Sequence, residues 1–302
     1  MSIGISVIIP TYNRKDMLEG CLKSIFSQDY NTKDYEVIVV DDASSDGTSS
    51  IVKIMAKKHK NLRLIRNRQN MGPAYSRNRG IKKSRGNIIA FTDDDCSVDN
   101  DWLRSIKITH KNFPQEYGIG GKIIGSEIKS PISRFRTFQI DYSLKKNKLG
   151  ERHVRYIPTC NVSYKKSVFK KIGFFDETYR YSEDIDFNMR LEKIGRPICF
   201  NEDITVFHRY QRTLKKFLNV SFSYGRFIPR IKKKYPKIPL IVPLDFISWA
   251  AFLFVPLASI FLKTISVKGL MDKILLFHLI VLDEVSYRYG IINELLFPMD
   301  KR

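Results

Sequence analysis

The sequence predicts an α/β protein built on a doubly wound, mainly parallel sheet. Two short runs, at residues 6–9 and 37–40, are β-branched and almost wholly apolar, which suits strands buried on both faces of a parallel sheet. Between them, apolar residues recur at helical spacing from Met17 to Phe26. The same alternation of strand and helix continues over about a hundred residues, and it favours this fold class.

The alternation predicts further elements along the chain. These are a helix at 51–55, a strand at 62–65, a helix at 74–83, a strand at 87–92 and a short strand at 160–164. Residues 182–191 are then predicted to form a helix that Ser182 caps, with acidic residues in its first turn. Residues 130–151 are mixed and basic, and no pattern assigns them.

Three polar clusters follow predicted strands directly. They are Pro10 to Asn13, the pair Asp41 and Asp42, and the run Asp93, Asp94 and Asp95. Ligands of such sheets bind beyond the carboxyl ends of the strands, so we expect the three clusters to meet at one edge.

The three adjacent aspartates suit a divalent cation that holds a phosphate, because Mg²⁺ and Mn²⁺ prefer oxygen ligands. The alternative is an acidic turn, since Asp favours turns through local hydrogen bonds. Glycine-rich phosphate loops are missing from the sequence. We therefore expect a metal and basic side chains such as Arg77 to stabilise the phosphate charge. The alternative for Arg77 is that it lies on a solvated helix face.

Composition limits the classes of partner. The 302 residues carry a net charge of +21, which predicts attraction to polyanions such as anionic lipid or phosphorylated substrates. Nucleic acid is not an expected partner, because the charge concentrates in the tail and no nucleic-acid motif is present. The four cysteines are scattered, so they indicate neither a zinc site nor a disulfide scaffold, and each is expected to be a small buried residue.

An ordered series of motifs resembles the family 2 glycosyltransferases, which have the GT-A fold. The match runs from about residue 3 to residue 210, and its motifs lie at 6–14, 37–48, 70–72, 76–80, 91–96, 160–163, 173–177 and 183–184. The resemblance implies a GT-A domain over 1–210. It also implies an enzyme that moves a sugar from a nucleotide diphosphate donor, by default a UDP-sugar, to an acceptor hydroxyl with inversion.

The resemblance also assigns residues. Those implied to bind the nucleotide are Pro10, Thr11, Tyr12, Asp42, Asn70, Gly72, Arg77, Asp93 and Asp94. Asp42 matches the aspartate that recognises the base, although Asp42 also fits turn and capping chemistry. The implied ligands of Mn²⁺ or Mg²⁺ are Asp95, Asp93 and His208, while a lone histidine is more often structural. Asn161 and Glu183 are implied to contact the acceptor or the donor sugar.

Inversion needs one carboxylate to take the proton of the acceptor. Asp184 is the candidate, because it matches the second residue of the family's Glu-Asp motif, and Glu183 and Asp186 are nearby alternatives. These acids could instead simply favour a helix N-terminus, an effect worth about 0.3–1 kcal/mol each. A sugar-nucleotide pyrophosphorylase is the rival enzyme class, but it normally opens with a glycine-rich basic loop where Pro10 to Arg14 stands here.

The tail, residues 211–302, is predicted to be a helical, membrane-associated extension. Residues 209–237 hold ten Lys or Arg and no Asp or Glu. The following residues 241–262 carry one charge and two prolines, and they are long enough for either a span or an interfacial hairpin. The cations predict an anionic membrane surface as partner, on its cytoplasmic face. The alternative is a basic solvated helix packed on the domain, with 241–262 as core.

Overall fold

The computed structural model describes residues 3–127, 130–210, 213–236 and 270–298. These residues form two compact units. One contains the described parts of 1–124 together with 147–209, and the other contains those of 125–146 and 210–302. Of the unassigned segment 130–151, residues 130–146 thus belong to the same unit as the tail, and residues 147–151 belong to the other unit. Residues 241–262, the predicted membrane segment, lie outside the described ranges.

Four parallel strands form the first half of the sheet. They are β1 (Ile5–Thr11), β2 (Tyr35–Asp41), β3 (Leu62–Arg66) and β4 (Ile88–Phe91), and they lie side by side in the order β3-β2-β1-β4. In register, Val7 of β1 stands opposite Val37 on one side and Ala90 on the other. Consecutive residues of β1 and β2 are buried. Successive side chains point to opposite faces, so the central strands are covered on both faces, which confirms the predicted α/β fold.

The sheet continues with antiparallel pairs. Its remaining strands are β5 (Cys96–Val98), β6 (Gly118–Gly125), β7 (Lys148–Leu149), β8 (His153–Val154), β9 (Val162–Lys165) and β10 (Ile198–His208). The order after β4 is β9-β6-β10-β8-β7, and β5 pairs with β10. The β5–β10 pairing sets Cys96 opposite His208, so two residues more than a hundred positions apart meet beside the end of β4.

Helices connect and cover these strands. In the first unit they are α1 (Lys15–Phe26), α2 (Thr48–Lys58), α3 (Pro73–Lys83), α4 (Trp102–Asn112), α6 (Ser167–Ile172) and α7 (Glu183–Lys193). Helix α3 lies unusually close to β1, because a Cβ at Gly80 would stand 2.5 Å from Cγ2 of Ile8. Only glycine permits this approach without displacement of Ile8. The close approach fixes the position of the other side chains of α3.

A buried histidine on α4 makes the stability of this unit depend on pH. His110 Nε2 lies 3.0 Å from Ser163 Oγ. Burial lowers the pKa of His110 from 6.5 to about 3, and Lys165 adds to the shift. Below pH 6.5 this imidazole is therefore protonated in the unfolded chain but neutral in the folded chain, so the free energy of unfolding falls as pH falls.

We expect His110→Gln to flatten this dependence. Between pH 6 and pH 4 the wild type should lose about 2–3 kcal/mol more of its unfolding free energy than the variant, from one proton at about 1.4 kcal/mol per pH unit. Urea unfolding at pH 7.5, 6, 5 and 4 measures the difference. Parallel pH profiles for the two proteins would contradict the expectation.

The second unit is helical. It contains α5 (Pro131–Lys146), α8 (Leu214–Lys234) and α9 (Leu270–Leu296). Arg136 of α5 forms an ion pair with Asp283 of α9 at 3.3 Å and lies over the ring of Phe217. Within the described ranges, no helix is both long enough and apolar enough to cross a membrane.

Helices α8 and α9 approach each other at two glycines. A Cβ at Gly225 would collide with the carbonyl oxygen of Tyr287, and one at Gly290 would collide with the carbonyl oxygen of Phe222. The backbones therefore touch directly. This contact allows the two helices to run in parallel with little space between them.

Candidate active site

The carboxyl ends of β1 and β4 bring the first polar groups together, as the sequence predicted. Thr11 ends β1, and its hydroxyl donates to Asp94 Oδ2 over 2.7 Å. Asp93, Asp94 and Asp95 follow the end of β4 at Phe91. Both strands are parallel neighbours, so the aspartates lie beside the Pro10–Tyr12 loop. The side chain of Tyr12 is exposed at this edge.

Arg14, which sequence reasoning did not single out, forms ion pairs with two of the aspartates. Its Nη1 lies 3.0 Å from Asp94 Oδ1 and 2.6 Å from Asp95 Oδ2. Burial raises the pKa of Asp94 to about 7, Arg14 opposes this shift and Asp95 adds to it. A signal was available: three adjacent carboxylates need a counter-charge, and Arg14 follows the neighbouring strand.

Arg77 joins two distant parts of the chain. It projects from α3 and is buried, and its Nη2 lies 2.7 Å from Asp93 Oδ1 while its Nη1 donates to Glu183 Oε1. Burial alone would lower the pKa of Arg77, but the carboxylates of Asp93 and Glu183 raise it overall. The bridge brings the start of α7 to the end of β4, so the Glu-Asp motif and the aspartate run share one site.

Asp184 stands at this junction. It is half-buried, and its carboxylate accepts hydrogen bonds from the backbone N–H of Ile185 at 2.8 Å and of Thr159 at 3.4 Å. Burial raises its pKa above the usual range, and the Arg77 charge opposes that shift. A carboxylate whose pKa lies nearer neutrality holds a proton more readily, which suits a general base.

The other acids of α7 have different surroundings. Burial raises the pKa of Glu183 to about 7 against the attraction of Arg77. Asp186 is fully buried and pairs with Arg190 Nε at 2.9 Å, so it is enclosed by protein and cannot face an acceptor. Ser182 precedes the helix as predicted, but its φ is +66° and its side chain makes no capping hydrogen bond. The capping prediction is therefore wrong in that detail.

Three predicted metal ligands lie together. Asp93, Asp95 and His208 each offer one donor atom, all within 4.8 Å of one another. His208 Nε2 lies 3.5 Å from Asp95 Oδ1, and the opposite oxygen of Asp95 faces Arg14. Two carboxylates and an imidazole match the donor preferences of Mn²⁺. The residues present therefore fit a divalent cation.

A second donor set shares the same histidine. Cys96, Cys160 and His208 also present donor atoms within 4.8 Å of one another. Burial raises the pKa of the Cys96 thiol well above its usual value, and the nearby Asp95 and Asp93 charges add to the shift. The scattered sequence positions concealed this set, because only the β5–β10 register and the short helix at Thr159–Asn161 assemble it.

Asp42 is buried among groups of its own chain. Its two carboxylate oxygens accept hydrogen bonds from Asn67 Nδ2 at 2.6 Å, from Met71 N at 2.9 Å and from Gly72 N at 2.8 Å. Gly72 has a φ of +91°, which favours glycine at this position. Asp42 therefore holds the 67–72 loop in place, while its predicted contact with a base stays a prediction.

The two remaining predicted residues have structural contacts. Asn70 Oδ1 accepts from Arg180 at 3.2 Å. Asn161 is fully buried; its Nδ2 donates to the carbonyl oxygens of Lys122 and Ile204, and its Oδ1 accepts from Trp102 Nε1. All its polar atoms are thus used inside the protein. The side chain of Asn161 is part of the core, while its predicted contact with a sugar stays a prediction.

Comparison with known proteins decides the family. The model of the family described as "Glycosyl transferase family 2" matches residues 6–173. The chain belongs to glycosyl transferase family 2. It is therefore a glycosyltransferase, as the motif series predicted, and the pyrophosphorylase alternative is set aside.

Relatives and a solved structure agree with this membership. Glycosyltransferase AglE of Haloferax volcanii is 28% identical over 232 residues, which cover 74% of this chain and 72% of the relative. The dolichyl N-acetyl-α-D-glucosaminyl phosphate 3-β-D-2,3-diacetamido-2,3-dideoxy-β-D-glucuronosyltransferase of Methanococcus voltae is 28% identical over 261 residues, which cover 80% of this chain and 78% of the relative.

The solved structure is that of the mannosyltransferase PcManGT from Pyrobaculum calidifontis in complex with GDP-Man and Mn²⁺. It superimposes with a TM-score of 0.68 at 19% identity, covering 100% of this chain and 89% of that chain. At this identity the likeness shows the fold alone. The family 2 enzyme described here therefore has the GT-A architecture.

Proposed function

We propose that this family 2 glycosyltransferase transfers a sugar, with inversion, from a nucleoside diphosphate donor to a hydroxyl of a lipid-linked glycan. The observation that carries the proposal is the Arg77 bridge between Asp93 and Glu183. It gathers a cationic group, an acidic cation site and the candidate base Asp184 in one place. Those are the groups that displacement of a diphosphate by an alcohol requires.

The donor lies, in this proposal, over the carboxyl ends of β1, β2 and β4. Tyr12 offers an exposed ring at this edge, and Asp42 orders the neighbouring 67–72 loop. A UDP-sugar is the proposed donor. The GDP-Man bound to the mannosyltransferase of the same fold supports a nucleotide sugar as the general class.

The proposed metal is Mn²⁺ or Mg²⁺, held by Asp93, Asp95 and His208. When bound, such an ion stabilises the negative charge that gathers on a departing diphosphate. The protein itself contributes Arg77, whose charge is fixed by two carboxylates and lies beside Asp93. The Mn²⁺ bound to the mannosyltransferase supports the proposal.

Asp184 is the proposed general base. Its carboxylate takes the proton of the acceptor hydroxyl as that oxygen attacks the anomeric carbon from the face opposite the leaving group. Backbone N–H groups of Ile185 and Thr159 hold the carboxylate in one orientation. Burial raises the pKa of Asp184, which favours acceptance of a proton.

A lipid-linked acceptor is proposed because the Methanococcus voltae relative is named for a dolichyl-phosphate-linked sugar. We assign the reaction to the cytoplasmic face of the membrane, an assignment supported by the ten cations of residues 209–237. Cell-surface polysaccharide or glycolipid synthesis is the corresponding process.

A donor screen tests the proposal. The enzyme is incubated with UDP-, GDP- and dTDP-sugars, with Mn²⁺, with Mg²⁺ or with a chelator, and nucleoside diphosphate release is measured. We expect release from one donor class with metal and loss of release with the chelator. No release from any donor in the presence of lipid-linked acceptors would contradict the proposal.

We expect Asp95→Asn to weaken Mn²⁺ binding by about 10-fold to 100-fold, because one charged ligand is lost. Titration of Mn²⁺ followed by electron paramagnetic resonance measures free ion directly, without turnover. The exposed Asp203→Asn is the matched control and should bind as the wild type does. Equal affinity of the Asp95 variant and the wild type would remove Asp95 from the ligand set.

A further inference from the structure

Helix α9 presents an apolar face to its surroundings. Five residues at alternating spacings of three and four define what we call the outer stripe. They are Leu282, Val285, Tyr289, Ile292 and Leu296, and between 38% and 66% of each is exposed. A helix in water normally shows polar residues on its outward face, so the outer stripe is unlike a solvated surface.

The charged residues of the same helix point the other way. Asp283 contacts Arg136 of α5, and Glu294 contacts Arg226 and Arg230 of α8 at 3.0 and 3.1 Å. Arg288 is buried and pairs with Glu284. The charged side chains that the structure describes on α9 between Asp283 and Glu294 thus contact protein, while the outer stripe has no charged residue. A continuous exposed apolar surface of this kind marks an interaction site.

The cations of α8 lie at one end of this stripe. The two helices run in parallel: Leu218 accepts from Ser286, and further along both helices Arg230 meets Glu294. Helix α8 therefore continues for about one turn beyond the end of α9. Lys232, Lys233 and Lys234 form this last turn of α8, and the exposed Leu295 and Leu296 end α9, with the exposed Phe297 directly after them.

We propose that the outer stripe and the last turn of α8 together dock on an anionic lipid bilayer surface. Apolar side chains enter the boundary of the acyl chains while flanking lysines meet anionic headgroups, as in interfacial helices. The stripe is about 21 Å long at 1.5 Å per residue, and it includes an exposed tyrosine, a residue typical of membrane interfaces.

The net charge of the chain favours lipid over a second copy of the chain as the partner of the outer stripe. The net charge of +21 disfavours association between two copies and favours an anionic surface. The inference rests on the membrane location in the proposed function and deepens it by naming the surface that binds lipid. Its test uses no substrate, so a failure removes the lipid surface and leaves the proposed sugar transfer to be decided by the donor screen.

Vesicle flotation tests the surface. The full chain, purified in a dialysable detergent, is reconstituted with vesicles of phosphatidylcholine alone or of phosphatidylcholine and phosphatidylglycerol in equal parts. We expect wild-type protein to float with the anionic vesicles. Tyr289→Gln combined with Ile292→Gln should weaken this binding by about 10-fold or more, because apolar burial is lost.

Replacing Lys232, Lys233 and Lys234 by Gln should weaken binding to anionic vesicles by about 5-fold per lysine and change binding to neutral vesicles little. The control is Ile54→Gln, whose parent side chain is 56% exposed on α2 of the other unit; it should float as the wild type does. Circular dichroism confirms that each variant is folded.

Two results would overturn the inference. The first is equal flotation of the stripe variant, the lysine variant and the wild type. The second is a lipid-free dimer, measured by light scattering, that the stripe variant converts to monomer, because the stripe would then join two copies of the chain.

Discussion

Asp184→Asn is expected to lower kcat by about a hundredfold to ten-thousandfold, the contribution of a positioned general base. The amide keeps the shape of the side chain but cannot accept the acceptor proton. Donor binding should stay close to that of the wild type, because Asp184 is assigned to the acceptor. Nucleoside diphosphate release gives kcat, and titration with the donor in the absence of acceptor gives the dissociation constant.

Asp203→Asn, an exposed carboxylate of β10, is the control and should leave both quantities unchanged. The pH profile of kcat/KM adds a second readout. The wild type should lose activity as pH falls through a pKa above the usual aspartate range, because burial raises the pKa of Asp184. A variant that loses donor binding while keeping kcat would move Asp184 out of the base role.

Arg77→Met is expected to destabilise the enzyme by about 3–5 kcal/mol at pH 8, the cost of removing one partner from a buried ion pair. The change leaves Glu183 buried beside Asp93 without a cation. Urea unfolding followed by circular dichroism measures the loss. Arg104→Met is the control: Arg104 pairs with the exposed Asp29 at 2.6 Å, and an exposed pair contributes about 0–1 kcal/mol.

The sign of the pH dependence separates this effect from lost packing. Burial raises the pKa of Glu183, and the folded variant, without Arg77, should take up a proton there more readily than its unfolded chain does. The free energy of unfolding of the variant is thus higher at low pH and decreases as pH rises. The deficit relative to the wild type should shrink from pH 8 to pH 5. A deficit independent of pH would show that the missing contacts, and not the stranded charge, cause the destabilisation.

Local patterns predicted the parallel half of the sheet because those strands are buried on both faces and read as β-branched runs. The antiparallel half was harder to predict. Strands β7 and β8 have two residues each, too few to show an alternation. Helix α5 escaped assignment because its buried residues, Ile132, Ser133 and Phe135, lie at its start and form no continuous apolar face. Its partners, α8 and α9, are distant in sequence.

Some contacts of the candidate site could likewise be predicted from the sequence, and others could not. Strand ends predicted the meeting of Thr11 with Asp94, since the carboxyl ends of parallel neighbours lie together. The motif series placed Asp184 with the aspartates, and the long-range Arg77 bridge supplies the contact. The motif position of Asn161 does not reveal its burial: a Cβ at Gly121 would stand 2.7 Å from its Nδ2, so strand β6 lies against it. Arg14 could have been recognised from the sequence, because it follows the end of a strand beside the one that leads to the aspartates.

His208 belongs to two donor sets, one of carboxylates and one of thiols, so an ion bound by one set competes for this imidazole with an ion bound by the other. A thiophilic ion held by Cys96 and Cys160 would take the nitrogen ligand from the metal site proposed at Asp93 and Asp95. If turnover depends on that site, protein stored with trace zinc or cadmium would look inactive despite being correctly folded. The turnover of this enzyme should accordingly first be measured after treatment with a strong chelator and addition of excess Mn²⁺.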